Sequence, residues 1–182
     1  YNTSQFYGAD KRPGFEEYFG GMQDNGTWKS RSSESASASS QYIFNLGGDG
    51  FEVIWHNLDG KKLIGGSQFN GFSRSTDGGL TWTNATSGLS GNAPFISKLA
   101  NSRHNPERIY TLTSNGVFRS ENFGQSWTLS PISNKWGQSS FMDLEVSRAN
   151  SKIVWAGSGM SSTRSIHVST DAGVTFNVTQ NY

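Results

Sequence analysis

Short apolar runs alternate with turn-forming residues along the whole chain. FEVIWHN (51–57), ISKLANS (96–102) and FMDLEVS (141–147) are each followed by a turn rich in Asn, Asp, Gly or Pro. A second run comes next: KKLIGGSQ, ERIYTLTS or KIVWAGSG. Asn-Gly turns at 70–71 and 115–116 then lead into GFSRS and GVFRS, and a last run follows as LTWTNA or QSWTLS. Asn-Gly between β-rich runs is a strong hairpin signal, since both residues tolerate the positive φ of a tight turn. No segment holds a 3.6-residue apolar period over ten residues, so the pattern predicts strands rather than helices.

The pattern is also periodic. Phe6, Phe51, Ile96 and Phe141 are 45 positions apart, as are Gly26, Gly71 and Gly116 with Asn25, Asn70 and Asn115 before them. YFGGMQDNG (18–26) aligns with LIGGSQFNG (63–71). Ser75, Asp77, Gly79 and Trp82 recur as Ser120, Asn122, Gly124 and Trp127, and again as Ser169, Asp171, Gly173 and Phe176. Four antiparallel strands in about 45 residues, repeated, describe a blade of a β-propeller. The expected fold is all-β: a propeller with four-stranded antiparallel blades at 1–48, 49–93, 94–138 and 139–182. SQFYGAD reads as a first strand and GVTFNVT as a fourth, which leaves no strand to latch a ring. The four blades are therefore expected to be a segment of a larger propeller, with the remaining blades elsewhere or on another chain.

Composition narrows the function classes. A third of the 182 residues are apolar and 13% are aromatic, enough for a packed core. The net charge of +1 predicts neither a nucleic-acid footprint nor a polybasic membrane patch. No apolar run approaches the roughly 20 residues of a membrane-spanning helix. The absence of cysteine excludes disulfides and thiolate zinc sites. His56, His104 and His167 fall in different blades at no metal-ligand spacing, so neither a metal nor a cofactor is expected. There is no G-x-S-x-G and no phosphate loop. Sequons at Asn2, Asn25, Asn84 and Asn177 are about what this composition gives by accident.

The recurring S-x-D-x-G-x-T-W, seen as STDGGLTW at 75–82, resembles the Asp-box, or bacterial neuraminidase repeat, of sialidase-like and sortilin-like propellers. The copy at 120–127 has Asn122 for Asp, the copy at 169–176 has Phe176 for Trp, and blade 1 carries SRSSESASASS (30–40) instead. FYGADKRPGFEEYFGGMQDNGTW and GGDGFEV are similar to the first blades of secreted bacterial proteins with sortilin-type or xyloglucanase-type propellers. That resemblance implies a secreted or cell-surface protein and places the box at the blade's outer rim. The residue types agree with a turn. An Asp accepts nearby backbone N–H groups, Gly79, Gly124 and Gly173 supply positive φ, and Trp82 buries its ring between blades. Asn122 keeps the acceptor oxygen without the charge, which a turn tolerates and an acid–base catalyst does not. The boxes are expected to be structural.

Chemistry is expected on the opposite face, where the second-to-third-strand turns and the blade-to-blade loops meet. Gln23, Asn25, Gln68, Asn70 and Trp136 are the candidate binding residues, for a protein or glycan ligand. Asp24 and Asp49 fall near the junction of blades 1 and 2. A pair of carboxylates is the machinery of glycoside hydrolysis, and GGDGF is similar to the surroundings of the acid in xyloglucanase-type enzymes. Both residues are equally at home in turns. A sialidase site is not visible: Arg74 and Arg119 sit on different blades, and Arg12, Arg31 and Arg103 fall in turns or loops. The expectation is a non-catalytic, sortilin-like binding propeller. The alternative is part of a glycoside hydrolase acting on polysaccharide through Asp24 and Asp49.

Overall fold

The computed structural model describes residues 4–32, 34–35 and 37–179; the sequon at Asn2 lies outside them. Among the described residues, sixteen strands form four separate antiparallel sheets, each a simple meander in chain order. The first sheet contains β1 (Phe6–Lys11), β2 (Tyr18–Met22), β3 (Gly26–Ser30) and β4 (Tyr42–Leu46). The second contains β5 (Val53–Trp55), β6 (Leu63–Ser67), β7 (Gly71–Ser75) and β8 (Thr83–Asn84). The third contains β9 (Ala100–Ser102), β10 (Asn105–Thr113), β11 (Gly116–Ser120) and β12 (Thr128–Leu129). The fourth contains β13 (Asp143–Val146), β14 (Val154–Ser161), β15 (Arg164–Ser169) and β16 (Asn177–Val178). No α-helix occurs among the described residues, and a single 3₁₀ turn at Gln68–Asn70 joins β6 to β7. None of this includes a helix long and apolar enough to cross a membrane.

Each sheet is one blade, stacked face to face with the next. Alternate residues of a strand point to opposite sheet faces, and in the inner blades both faces are covered. In β10, Ile109 points with Phe118 into a cluster shared with Ile54, Ile64 and Phe72 of the second blade. Tyr110 and Leu112 point the other way, into a cluster with Leu144, Val154 and Phe176 of the fourth. Burial on both sides explains why Ile109 to Leu112 shows no clean apolar–polar alternation, all four residues being fully buried. Phe19 of the first blade packs with Val53, Trp55 and Leu63 of the second. Each fully buried aromatic or aliphatic side chain in these seams contributes about 1.5–3 kcal/mol. The first two blades come unusually close at Gly21, where a Cβ would collide with the backbone carbonyl of Phe51.

The seams stop at both ends of the stack. Phe6, Tyr42 and Phe44 are exposed on the first blade, and Phe141, Trp155 and Met160 on the last. Trp28, in register with buried Phe118, lines the open face of the first blade instead of a seam, edge-on to Phe44 with ring centroids 5.4 Å apart. The outer strands are shorter than the sequence pattern suggests. β8 and β12 hold two residues each, because Trp82 and Trp127 leave the strand to pack under the preceding blade.

Candidate functional site

The three boxes close the third-to-fourth-strand turns with one hydrogen-bond scheme. Ser75 Oγ donates to Asp77 Oδ1 at 2.8 Å and accepts the N–H of Gly79 at 2.8 Å. Asp77 in turn accepts the N–H groups of Leu80 and Thr81 and the Thr81 hydroxyl. Ser169, Asp171, Gly173 and Thr175 repeat the arrangement, and Ser120, Asn122, Gly124 and Ser126 keep it except that Asn122 Nδ2 donates to the Ser126 hydroxyl. The glycines hold φ of 87°, 77° and 76° at Gly79, Gly124 and Gly173, in the left-handed region that favours glycine. Bonds from the Thr81 hydroxyl and N–H, and from Ser75, pull the Asp77 carboxyl down to about 2. Burial pushes Asp171 up, but bonds from Ser169 and Thr175 outweigh it and leave that carboxyl at about 2 as well.

Each box also locks two blades together. Trp82 stacks on Phe19 with centroids 5.7 Å apart. Trp127 lies 6.0 Å from Phe72 and donates its Nε1–H to the Ala85 carbonyl at 2.7 Å. Phe176 is buried in the seam between the third and fourth blades. In return, the preceding blade donates to a box carbonyl: Asn45 to Gly79, Arg74 to Asn122, and the Tyr110 hydroxyl to Ala172. Arg74 thus serves a seam. Burial pushes the Tyr110 phenol up to about 12, so it remains a neutral donor.

On the opposite face, the structure brings several candidate residues together across the first two blades. Asp49 Oδ1 accepts the backbone N–H of Asp24 at 2.8 Å, and the Asp49 N–H donates to Gln68 Oε1 at 3.2 Å. Asp24 has φ 62° at the β2–β3 turn, a conformation that Asp tolerates. Its carboxylate is exposed and lines an open polar cleft of about 510 Å³ with Ser4, Gln5, Gln23 and Asn25. Gln23 Oε1 accepts the Tyr7 hydroxyl, while Asn25 Nδ2 donates to the Gln23 carbonyl.

Two candidates lie deeper than the sequence suggests. Asn70 is buried, with Nδ2 donating to the Leu112 carbonyl of the next blade and its N–H to Ser97 Oγ. Trp136 is half-buried against the third seam, its Nε1–H bonded to the Thr113 carbonyl and its ring edge-on to His167. His56 is buried as well: its Nδ1 accepts the N–H groups of Leu58 and Asp59, and burial lowers its pKa. No cluster of three metal-ligating side chains occurs among the described residues.

Sequence reading missed two features. One is the set Glu52, Lys98 and Asp143, drawn from three blades. Lys98 lies 3.9 Å from Glu52 and 3.5 Å from Asp143. Burial pushes the Glu52 carboxyl up to about 7, with Lys98 acting against it. The 45-residue step aligns Lys98 with Asp143 but leaves Glu52 one position out of register, which hides the set in the sequence. The other is Phe69, a bulky residue at φ 55° in the polar β6–β7 turn, with 62% of its surface exposed.

No protein-family model matches the chain, and no curated protein matches it significantly. Solved structures do. An ancestral GH74 enzyme superposes with a TM-score of 0.69 at 16% identity, covering 97% of this chain and 24% of its own. The GH74 xyloglucanase from Xanthomonas campestris gives 0.64 at 18% identity, covering 98% and 25%. A chain from the outer coat vertex of COPII on membranes gives 0.65 at 16% identity, covering 96% and 49%. At these identities the likeness establishes the β-propeller fold alone. The chain spans about a quarter of the length of the GH74 chains.

Proposed function

We propose that the chain is a sortilin-like, Asp-box binding module of a secreted or cell-surface protein, holding a protein or glycan ligand on its loop face. Gln23, Asn25 and Gln68 are the contacting residues, while Asn70 and Trp136 are tied to the Leu112 and Thr113 carbonyls of the third blade. The observation that carries this reading is the Asp49 carboxylate bonded to the backbone N–H of Asp24. It tethers a blade crossover to a hairpin turn, as a structural turn carboxylate does. The open faces around Trp28 and Trp155 take further propeller blades, of this or another chain, continuing the seams within the stack.

A screen of the purified protein against a glycan array and a panel of secreted proteins tests the reading. It expects a ligand whose retention drops at least tenfold in a Gln23→Ala/Gln68→Ala double variant and is unchanged in Asp77→Asn. A ligand lost equally in both variants, or only in the rim variant, rules the loop face out.

A second reading, part of a glycoside hydrolase acting on a β-linked polysaccharide, is favoured by the exposed Asp24 carboxylate in its polar cleft. It requires polysaccharide turnover that Asp24→Asn abolishes. Turnover unaffected by that change removes it.

A further inference from the structure

We infer that the cleft beside Phe69, where the second and third blades meet on the loop face, binds a neutral sugar unit of a glycan. This rests on the loop-face reading above and names its ligand class. The cleft holds about 180 Å³ and is lined by Phe69, Asn70, Thr86, Leu89, Ser90 and Thr113, among others. None of its lining residues is ionisable. Anionic sugars and phosphates would find no counter-charge there, whereas a neutral sugar needs none. Its C–H face suits an aromatic ring, and its hydroxyls suit amide, hydroxyl and backbone partners.

Two observations point to a ligand independently. The first is the placement of Phe69. Its counterparts one period away are Asp24 and Ser114, polar residues suited to a turn. Phe at φ 55° is a backbone outlier, of the kind that gathers at ligand-binding sites. Its ring is held edge-on to Phe95 at 5.5 Å, and Phe95 is held edge-on to fully buried Phe51 at 5.5 Å. The exposed ring is therefore anchored through an aromatic chain into the core, a preorganised platform. The second observation is Asn70, only 3% exposed. Its Nδ2 is bonded to Leu112, but its Oδ1 is buried without a partner. A ligand hydroxyl entering the cleft supplies the missing donor.

Calorimetric titration of the purified chain with neutral β-linked hexasaccharides of glucose, galactose and mannose tests the inference, with a sialylated oligosaccharide as control. The variants are Phe69→Asn, which suits the left-handed conformation and preserves the turn, and Phe69→Tyr, which preserves the ring. The inference expects binding of at least one neutral hexasaccharide, a loss of tenfold or more in Phe69→Asn with unchanged or raised Tm, and near-complete retention in Phe69→Tyr. Equal affinity in Phe69→Asn and the parent chain overturns it. So does binding confined to the sialylated sugar or to peptides. If no neutral sugar binds but a protein ligand depends on Gln23 and Gln68, the inference fails while the loop-face reading stands. Ligands insensitive to all of these residues overturn both.

Discussion

Asn122 Nδ2 donates to Ser126 Oγ at 2.9 Å, reversing the bond that Thr81 Oγ1 gives to Asp77 Oδ2 at 2.6 Å. A hydroxyl both donates and accepts, so the bridge across the hairpin survives the exchange of carboxylate for amide. The backbone N–H of residue 126 and the Ser120 hydroxyl still find an acceptor in Asn122 Oδ1. The box needs an oxygen at this position, not a charge.

Asn122→Asp is accordingly accepted, with a urea midpoint close to that of the parent chain. Asn122→Ala removes the acceptor from two donors and lowers unfolding free energy by about 1–2 kcal/mol. Urea unfolding of the two variants side by side measures the difference.

The charged boxes carry a pH signature that the Asn box lacks. Asp77 and Asp171 are held at about 2 in the folded chain, against an ordinary value of 3.8. A depressed carboxyl stabilises the folded state above its unfolded value and loses that contribution as pH falls through the folded one. Stability therefore declines between about pH 4 and pH 2 from these two groups. In an Asp77→Asn/Asp171→Asn double variant the decline over that window is shallower, as read from denaturant unfolding at each pH.

Glu52 has the opposite sign. Burial raises its carboxyl to about 7 from 4.5, so folding takes up a proton between those values and stability falls as pH rises through them. Glu52→Gln removes the cost of the buried charge. The variant is more stable than the parent by about 2 kcal/mol at pH 8 and near parity at pH 5. Unfolding at the two pH values decides the matter, and a variant destabilised equally at both contradicts it.

The fold was legible because its information is local and repeated. Asn-Gly turns, the 45-residue step and the S-x-D-x-G box each sit within a few residues. Three copies separate what the turn requires, as at Ser75, Ser120 and Ser169, from what it tolerates, as at Asn122 and Phe176. The candidate site was less legible because its bonds join distant residues. Asp49 meets Asp24, Asn70 meets Leu112 and Trp136 meets His167 across blade boundaries. Side chains that looked free for a ligand hold backbone groups of a neighbouring blade. Phe69 went unnoticed because its turn, Gln-Phe-Asn-Gly, matches Gln-Asp-Asn-Gly at 23–26 in every other position. The left-handed backbone it shares with Asp24, which Asp tolerates and Phe resists, is not written in the sequence.

The central claim is that ligand meets the loop face while the boxes only hold the rim. Hydrogen–deuterium exchange, with and without the ligand retained in the binding screen, tests it most directly. The account predicts slowed exchange at the turns 22–26, 67–71 and 113–116 and in the loop 86–95, with 76–82, 121–127 and 170–176 unchanged. Protection centred on those three boxes, with the loop face unaffected, would contradict it.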